Sequence, residues 1–328
     1  MLTAYDFPTG RLCETTDVDI TLVGDSLAQV CLGYDSTVKL TLDEMIHHCR
    51  AVGRGSKTPL LIADMPFGTY FNPEDAIRNA ARLMREGGVE GVKMEGGLEL
   101  VDTVRKLTAY GIPVIGHVGL MPQRHTSLGG YRARGGSAKD AERILTQALR
   151  LQEAGAFALV VEAVPGVVGT VIAERVNRIP VIGIGAGPHV NGQVLVVSDA
   201  IGVTPESPRF ARRFAQVKDV AQLAIHRYVE AVKTRNFPNK DQNEIYGMRH
   251  QQRDIFWAAT GFRGPKSSRE PLDDKALPTS GTGVSPEPLG SSPEPFEEPV
   301  EDVQPGQTRF DADAMNHLKS LLHKHASS

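Results

Sequence analysis

The stretch VKMEGG, Val92–Gly97, decides how the rest of the chain is interpreted. Lys93 and Glu95 are two residues apart, so in a β-strand both side chains point to the same face. A short apolar strand that carries a cation and a carboxylate on one face, and then ends in two glycines, indicates a strand end that forms part of a polar site. Six further apolar runs of similar length occur within residues 1–202.

These apolar runs alternate with segments that have helical periodicity. The runs are DITLVGDS (19–26), LLIADMPF (60–67), GVKMEGG (91–97), PVIGHVGL (113–120), ALVVEAVP (158–165), PVIGIGAG (180–187) and VLVVSDAIG (194–202). Strands that are apolar on both faces and are each followed by a helix indicate a parallel α/β sheet. The first residues, MLTAY, supply the end of an eighth strand. Two helical segments, 72–88 and 137–155, end on glycine, as helices often do.

Seven or eight βα units over about 240 residues predict a (β/α)8 TIM barrel. The alternative is a doubly wound open sheet. Nearly every predicted strand has a polar residue near its C-terminal end, and only a barrel brings those ends together at one mouth. The segment GIGAGPHVNG does not complete a dinucleotide-binding fingerprint, because Pro188 interrupts it.

Composition excludes several classes of protein. The net charge of -3 argues against nucleic-acid or anionic-membrane partners. Three cysteines without CxxC spacing favour free thiols in a reducing compartment. There is no run of about 18 apolar residues and no signal or transit pattern at the start. We expect an intracellular soluble protein, cytoplasmic or mitochondrial.

The chain changes character after residue 240. We expect residues 1–240 to form the catalytic barrel and residues 241–328 to be a largely disordered extension rich in Pro, Ser and Glu. Residues 265–305 hold nine of the 21 prolines. Such a segment cannot bury enough apolar surface to offset its ordering entropy. A short helix is expected over 311–325, after an aspartate cap.

Seven polar side chains are expected to converge at the barrel mouth: four carboxylates, a lysine, a histidine and a serine. They are Asp25, Asp64, Glu95, Glu162, Lys93, His117 and Ser26. Carboxylates this close raise one another's pKa unless a cation lies between them. Oxygen ligands without a cysteine or histidine pair favour a hard divalent metal, Mg²⁺ or Mn²⁺, over zinc. A partly filled shell indicates a substrate that chelates the metal.

Ten short motifs occur in order over residues 2–202 and together resemble the ketopantoate (3-methyl-2-oxobutanoate) hydroxymethyltransferase family. They are LTAYD, LVGDSL, GYDST, ADMPFGTY, VKMEGG, GHVGLMPQ, GGYRARG, VVEAVP, PVIGIGAG and GQVLVVSDAIG. The likeness continues to about Pro238. The phosphoenolpyruvate mutase and isocitrate lyase group is related, but it lacks VKMEGG, GGYRARG and VVEAVP as a set. The resemblance implies a barrel of the phosphoenolpyruvate/pyruvate-type superfamily.

The resemblance also implies a reaction. The family transfers a hydroxymethyl group from 5,10-methylenetetrahydrofolate to 3-methyl-2-oxobutanoate and makes 2-dehydropantoate, towards pantothenate and coenzyme A, with Mg²⁺. By its pattern, Asp25 and Asp64 are metal ligands, and Glu95 is the third ligand, directly or through water. Glu162 is the general base that removes the C3 proton of the keto acid. Family members form large ring-based homo-oligomers, which we expect here.

The same pattern implies the substrate contacts. The keto acid binds the metal through its keto oxygen and one carboxylate oxygen, so Asp25 and Asp64 also belong to the substrate site. Ser26 and Lys93 are expected to hold the substrate carboxylate. His117 is expected to contact the keto acid or the water shell of the metal.

Each role has a structural alternative. Asp25 can instead cap the helix that follows it. Lys93 can be a buried counter-ion for Glu95, and His117 can be a structural histidine. Glu162 can pair with Arg132 or Arg134 at the mouth.

Two further residues have less defined expectations. Tyr131, in GGYRARG, is expected in a loop that covers the mouth. Asp199, in the last apolar run, is either a site residue or a salt-bridge partner, and it is left unassigned.

The sequence departs from the family pattern at its start. The family has a helix and most of a strand before TAYD, so we expect the first strand here to be truncated, with unpaired ladder groups and a gap in the barrel wall. Two functional alternatives follow. One is a non-catalytic isoform that acts through partners, and the other is an isocitrate lyase-type Mg²⁺-dependent enolate enzyme, although no cysteine base is found.

Overall fold

The structure of the protein is a computed structural model that describes residues 1–126, 130, 132–204, 207–239 and 242–263. The chain divides into two compact units, one spanning Met1–Val220 and a second that begins at Ala221. Tyr131 of the expected lid, the Pro-rich segment and the expected helix over 311–325 lie outside the described residues. The domain boundary at residue 240 stays a prediction.

The first unit contains an eight-stranded parallel sheet whose strands follow one another in chain order. A parallel bridge between Leu2 and Leu195 joins its two edges. The strands are β1 (Leu2–Thr3), β2 (Ile20–Val23), β3 (Leu60–Asp64), β4 (Gly91–Glu95), β5 (Val114–Gly119), β6 (Ala158–Glu162), β7 (Val181–Ile184) and β8 (Gly192–Gln193). At least one helix follows each strand from β1 to β6, whereas β7 leads to β8 without a helix between them. This arrangement confirms the predicted (β/α)8 barrel.

The first strand is short, as expected, but it pairs on both sides. On one side, β1 pairs in parallel with β2. On the other side, the Thr3 N–H donates to the Leu195 carbonyl at 3.1 Å, and the Met1 ammonium donates to the Gln193 carbonyl at 3.1 Å. The expected gap beside this strand is therefore not formed among the described residues.

The run 194–202, which was predicted as a strand, forms mostly a helical turn and loop. The strand β8 ends at Gln193, the chain crosses β1 at Leu195, and Val197–Ala200 forms a helical turn, α8. The Val197 N–H donates to Thr3 Oγ1 at 2.9 Å. The Val194 N–H still donates to the Gly183 carbonyl of β7 at 2.9 Å, and the chain leaves the sheet after the bridge at Leu195. The β-branched composition of this run therefore does not decide its conformation.

The helices begin and end at recognisable signals. They are α1 (Phe7–Glu14), α2 (Leu27–Val30), α3 (Leu42–Gly55), α4 (Pro73–Arg82), α5 (Val101–Ala109), α6 (Ala138–Glu153), α7 (Gly166–Arg175), α8 (Val197–Ala200), α9 (Val217–Lys233) and α10 (His250–Thr260). Thr41 and Glu44 form a reciprocal capping box at the start of α3. After α4 and α6, Gly88 and Gly155 adopt φ of 75° and 100°. Both predicted glycine-closed helices are confirmed.

The interior of the barrel is apolar at one end and charged at the other. Alternate strand residues pack the apolar end: Ile20, Leu22, Leu60, Ile62, Ile115, Ala158, Val160, Ile182 and Val194. The residues between them, such as Leu61 and Val161, belong to the larger core that the helices share. Further along the same inward face are Asp64, Lys93, Glu95, His117 and Glu162. Apolar packing thus fixes the strands, and charged groups occupy their C-terminal ends.

The second unit contains the C-terminal part of α9 and the helix α10. Within it, the Arg253 guanidinium lies 4.6 Å from the centre of the Trp257 ring, and the Tyr228 and Phe237 rings are 5.6 Å apart. No helix in the described part of the chain combines the length and the hydrophobicity that a membrane span needs.

Candidate active site

Two buried carboxylates lie side by side where β2 and β3 end. The backbone N–H of Asp25 donates to Asp64 Oδ2 at 2.9 Å, and Gln123 Nε2 donates to Asp25 Oδ2 at 2.8 Å. The second oxygen of Asp64, Oδ1, lies 3.1 Å from Lys93 Nζ but has no partner with hydrogen-bond geometry. A buried acceptor that is incompletely satisfied indicates a ligand site.

Lys93 lies among the carboxylates and contacts His117. Its Nζ is 3.1 Å from Asp64 Oδ1 and 3.1 Å from His117 Nδ1. Burial disfavours the ammonium form, but the charges of Asp64, Glu95 and Asp25 outweigh burial and raise the pKa of Lys93. Because a protonated lysine only donates, Nδ1 of His117 must accept this hydrogen bond.

His117 is neutral and carries its proton on Nε2. Burial, followed by the charge of Lys93, lowers the pKa of His117 well below its ordinary value. Since Nδ1 accepts from Lys93, the ring proton is assigned to Nε2. Nε2 lies 3.2 Å from Glu162 Oε2, without hydrogen-bond geometry to any described residue. The Nε2–H group is therefore available to a bound ligand.

Gln123 holds the carboxylates on its two sides. It lies in the turn Pro122–Arg124 that follows β5. Its backbone N–H donates to Glu95 Oε2 at 3.0 Å, and its Nε2 also donates to the Met65 carbonyl at 2.9 Å. The Tyr70 hydroxyl donates to Gln123 Oε1, which fixes the orientation of the amide. The side chain of Gln123 thus orients Asp25, and its backbone N–H orients Glu95.

The carboxylates of the site are costly to ionise. Burial, together with the charge of Asp64, raises the pKa of Asp25 to about 7. Burial and the charge of Asp25 raise the pKa of Glu95 well above its ordinary value. Burial raises the pKa of Glu162 to about 7, against the opposing charge of Lys93. One lysine does not offset this many buried carboxylates, so the site favours a further cation.

The charged groups line a cavity of about 840 Å³. All seven residues that were predicted to converge line it: Asp25, Ser26, Asp64, Lys93, Glu95, His117 and Glu162. The opposite wall is mainly apolar and includes Ile184, Val194, Val196 and Phe210. A largely apolar cavity with a few convergent polar groups is the usual form of a small-molecule site. The convergence is therefore confirmed, and the individual roles stay predictions.

The oxygen donors fit a hard divalent cation. Among the described residues, no three histidine, cysteine or carboxylate side chains form a closed ligand set. Mg²⁺ does not need one, because it keeps several waters and uses one or two protein carboxylates. Asp25 and Asp64 are adjacent, and Asp64 Oδ1 is the incompletely satisfied acceptor that such an ion would engage. Gln123 connects Glu95 to this pair, since its backbone N–H donates to Glu95 and its side chain donates to Asp25.

The structure bears on the structural alternatives. The N-cap of α2 is Ser26, without a side-chain capping bond, so Asp25 does not cap that helix. Lys93 pairs with Asp64 at ion-pair distance. Within the described chain, Glu162 lies beside the neutral His117, whose Nε2 is 3.2 Å from Oε2, and it forms no ion pair with an arginine.

Sequence analysis did not assign Gln123 or the residues that support Ser26. Ser26 Oγ lies 2.9 Å from the Tyr5 hydroxyl, to which Thr3 Oγ1 donates at 2.8 Å. These residues occur in the motifs GHVGLMPQ and LTAYD. A polar residue within a few positions of a predicted strand end marks such a site, and Gln123, which follows β5, fits this rule as well as the charged residues do.

Comparison with known proteins decides the family. The ketopantoate hydroxymethyltransferase profile matches residues 1–240. The chain belongs to the ketopantoate hydroxymethyltransferase family. A 3-methyl-2-oxobutanoate hydroxymethyltransferase from Heliobacterium modesticaldum is 46% identical over 258 residues, which cover 78% of this chain and 92% of the relative. The enzyme of that name from Caldivirga maquilingensis is 50% identical over 242 residues, 74% and 91% of the two chains.

The predicted membership of the ketopantoate hydroxymethyltransferase family is thus confirmed. Likeness to solved structures is more distant. A phosphonopyruvate hydrolase solved with oxalate and Mg²⁺ aligns at 12% identity and a TM-score of 0.49, over 80% of this chain and 92% of that one. A likeness at this level carries no inference about the site.

Proposed function

We propose that this chain transfers a hydroxymethyl group from 5,10-methylenetetrahydrofolate to 3-methyl-2-oxobutanoate and forms 2-dehydropantoate, a step in pantothenate biosynthesis. The relatives named above carry this activity in their names. The observation that carries the proposal is Glu162, a carboxylate with its pKa raised to about 7 that lines the same cavity as the buried acidic pair. A base whose pKa lies near the working pH is suited to abstracting a carbon-bound proton.

Asp25 and Asp64 would hold a divalent cation, Mg²⁺ by preference, with Glu95 as a further ligand directly or through water. Their oxygen chemistry and the unsatisfied Asp64 Oδ1 support this assignment. When bound, the cation supplies Lewis acidity towards the keto oxygen and so acidifies the C3 proton.

Ser26 and Lys93 would bind the carboxylate of the keto acid. Lys93 stays charged in its buried position, and Ser26 Oγ is oriented by the Tyr5 hydroxyl at 2.9 Å. His117 would contact the keto acid by donating from Nε2, the protonated nitrogen that has no partner with hydrogen-bond geometry among the described residues. These three donors would hold the keto-acid anion beside Glu162 and leave the Glu162 carboxylate free to act as the base.

In the reaction, Glu162 takes the C3 proton, and the electron pair left at C3 forms the bond to the methylene carbon of the folate. The bonds from that carbon to the folate nitrogens break. Water supplies the hydroxyl oxygen, and its second hydrogen and the C3 proton end on tetrahydrofolate, so atoms and electrons balance. None of the three cysteines is among the described residues that line the cavity, which disfavours a lyase with a cysteine base.

Proton NMR of 3-methyl-2-oxobutanoate in D₂O tests the first step without folate. We expect exchange at C3 that requires Mg²⁺ and falls by about 10²–10⁴-fold in Glu162→Gln, the range that general bases contribute. As a control, Glu99→Gln changes an exposed residue outside the lining of the cavity and should leave exchange unchanged. Folded wild-type protein that exchanges no faster than buffer would overturn the proposal and favour a non-catalytic role. The homo-oligomer and the compartment stay predictions.

A further inference from the structure

The cavity is larger than the keto acid needs. Its volume of about 840 Å³ lies towards the upper end of the 300–1,000 Å³ typical of pockets for drug-sized ligands. The charged groups occupy one wall, at the ends of β2–β6. A small branched keto acid on that wall leaves the apolar wall uncovered, so a second, larger ligand has space to bind.

The uncovered wall has one buried carboxylate among apolar side chains, Asp199. Asp199 is 6% exposed and lines the cavity. Its Oδ1 accepts a hydrogen bond from Thr204 Oγ1 at 2.6 Å. No described residue bonds its Oδ2. A carboxylate has about four acceptor positions, so most of the capacity of Asp199 is unused. Oδ2 is not fully enclosed, so a donor from a ligand in the cavity can bond it.

Hydrogen bonds connect Asp199's turn to the keto-acid end. Ser26 Oγ contacts the Tyr5 hydroxyl at 2.9 Å, Thr3 Oγ1 donates to that hydroxyl at 2.8 Å, and the Val197 N–H donates to Thr3 Oγ1 at 2.9 Å. Val197 begins the turn α8 that carries Asp199. Tyr5 and Thr3 are buried. The two ends of the cavity are therefore held in a fixed relation, as a reaction between two bound substrates needs.

We propose that Asp199 binds the 2-amino-4-oxopteridine ring of the folate co-substrate through the ring's N3–H and 2-amino donors. The assignment rests on the proposed function, which supplies the folate. The ring has two apolar faces and one edge with adjacent N–H donors. The faces fit the apolar wall of Val194, Val196 and Phe210, and the donor edge fits a carboxylate as a planar pair. Arg209 is exposed and also lines the cavity, and its charge would favour the anionic glutamate tail of the folate.

Asp199→Asn and Thr204→Val form a matched pair of variants. The asparagine still accepts from Thr204 through Oδ1, but its amide presents donors to the donors of the ring. Thr204→Val removes the loop hydrogen bond and leaves the carboxylate. Anaerobic calorimetry with tetrahydrofolate should show binding weakened by about 10- to 100-fold in Asp199→Asn, as expected when a hydrogen bond to a charged group is lost. Binding by Thr204→Val should stay within about threefold of wild type, because the bond that it removes lies within the protein and is not made to the ligand.

A folate analogue separates recognition from structure. Tetrahydrofolate whose 2-amino group is replaced by methyl should bind wild-type protein about 10- to 100-fold more weakly than tetrahydrofolate, and Asp199→Asn should discriminate between the two by less than about threefold. Equal binding of the two compounds by wild-type protein would overturn the proposal, even if Asp199→Asn does not fold. Loss of tetrahydrofolate binding in Thr204→Val equal to that in Asp199→Asn would also overturn it.

The folate-free exchange reaction distinguishes this inference from the proposed function. Asp199→Asn that still catalyses Mg²⁺-dependent exchange at C3 but binds tetrahydrofolate weakly supports the assignment. Wild-type protein without exchange would sink the proposed function instead. If Asp199→Asn exchanges at C3 and binds tetrahydrofolate like wild type, the assignment of Asp199 is wrong and the proposed function still stands.

Discussion

Replacing Gln123 tests whether its side chain orients Asp25, one member of the acidic pair. Gln123→Ala removes the donor 2.8 Å from Asp25 Oδ2 and 2.9 Å from the Met65 carbonyl, and it deprives the Tyr70 hydroxyl of its acceptor. The backbone N–H to Glu95 remains. A lost hydrogen bond to a charged group costs about 1.5–3 kcal/mol and a neutral one about 1 kcal/mol. We therefore expect the free energy of unfolding to fall by about 4 kcal/mol.

Two related variants grade the effect. Tyr70→Phe removes only the hydroxyl that bonds Gln123 Oε1 and, at 3.3 Å, the Glu95 carbonyl, so it should cost about 1 kcal/mol. Gln123→Glu keeps the shape and the acceptor for Tyr70, but it places an acceptor against the oxygens of Asp25 and Met65. Like charges repel in a buried site, so this variant should lose at least as much stability as Gln123→Ala.

Urea unfolding at pH 8, above the pKa of about 7 of Asp25, measures the series, with and without Mg²⁺. The expected order of lost stability is Tyr70→Phe, then Gln123→Ala, then Gln123→Glu. Mg²⁺ should stabilise wild type more than either Gln123 variant, because only wild type presents Asp25 in the right orientation. Gln123→Ala within about 0.5 kcal/mol of wild type, the range of an ordinary surface substitution, would refute the reasoning.

Two further predictions concern Glu162. A base must be deprotonated to act, and the pKa of Glu162 is raised to about 7. The C3 exchange rate should therefore rise with pH and level off near pH 7, or below it, because a bound cation lowers this pKa. A rate that falls between pH 5.5 and 8 would contradict the assignment of the base. Gly119→Ala should lower stability by about 2–4 kcal/mol and slow exchange, since a Cβ at φ 97° would lie 2.3 Å from the Glu162 carbonyl oxygen. Gly111 serves as the control, because it has a φ of 79° and no atom lies within 4 Å of an added Cβ. Gly111→Ala therefore has the backbone strain without the clash and should lower stability by about 1 kcal/mol in thermal unfolding. Equal losses in the two variants would show that strain alone acts at Gly119.

The barrel and the members of its site were predictable because both follow from short-range rules. Period-2 alternation puts Lys93 and Glu95 on one face, and chain-order parallel strands bring that face beside Asp64 and His117. Polar residues at strand ends are costly to bury unless they serve a site. The convergence therefore needed only the fold class and the positions of the strand ends.

The elements that were missed depend on contacts between distant segments. Gln123 bonds Asp25, which is 98 residues away in the chain, and no local pattern marks that pairing. The turn α8 replaces a predicted strand because Thr3, 194 residues away, bonds the Val197 N–H. Local β-propensity is a weak guide where the neighbouring strand is only two residues long. Such tertiary effects become visible only in the folded chain.

The register of β4 explains why VKMEGG carries opposite charges on one face. Lys93 lies opposite Asp64, so at the deeper level of the barrel a cation and an anion offset each other. Glu95, one inward position nearer the mouth, lies opposite His117, which is neutral. At this upper level burial raises the pKa values of Glu95 and Glu162, and the charge of Lys93 opposes the rise without cancelling it. Burial also raises the pKa of Asp25 at the deeper level, so the carboxylates of both levels are stabilised by positive charge that a ligand brings into the charged end of the cavity.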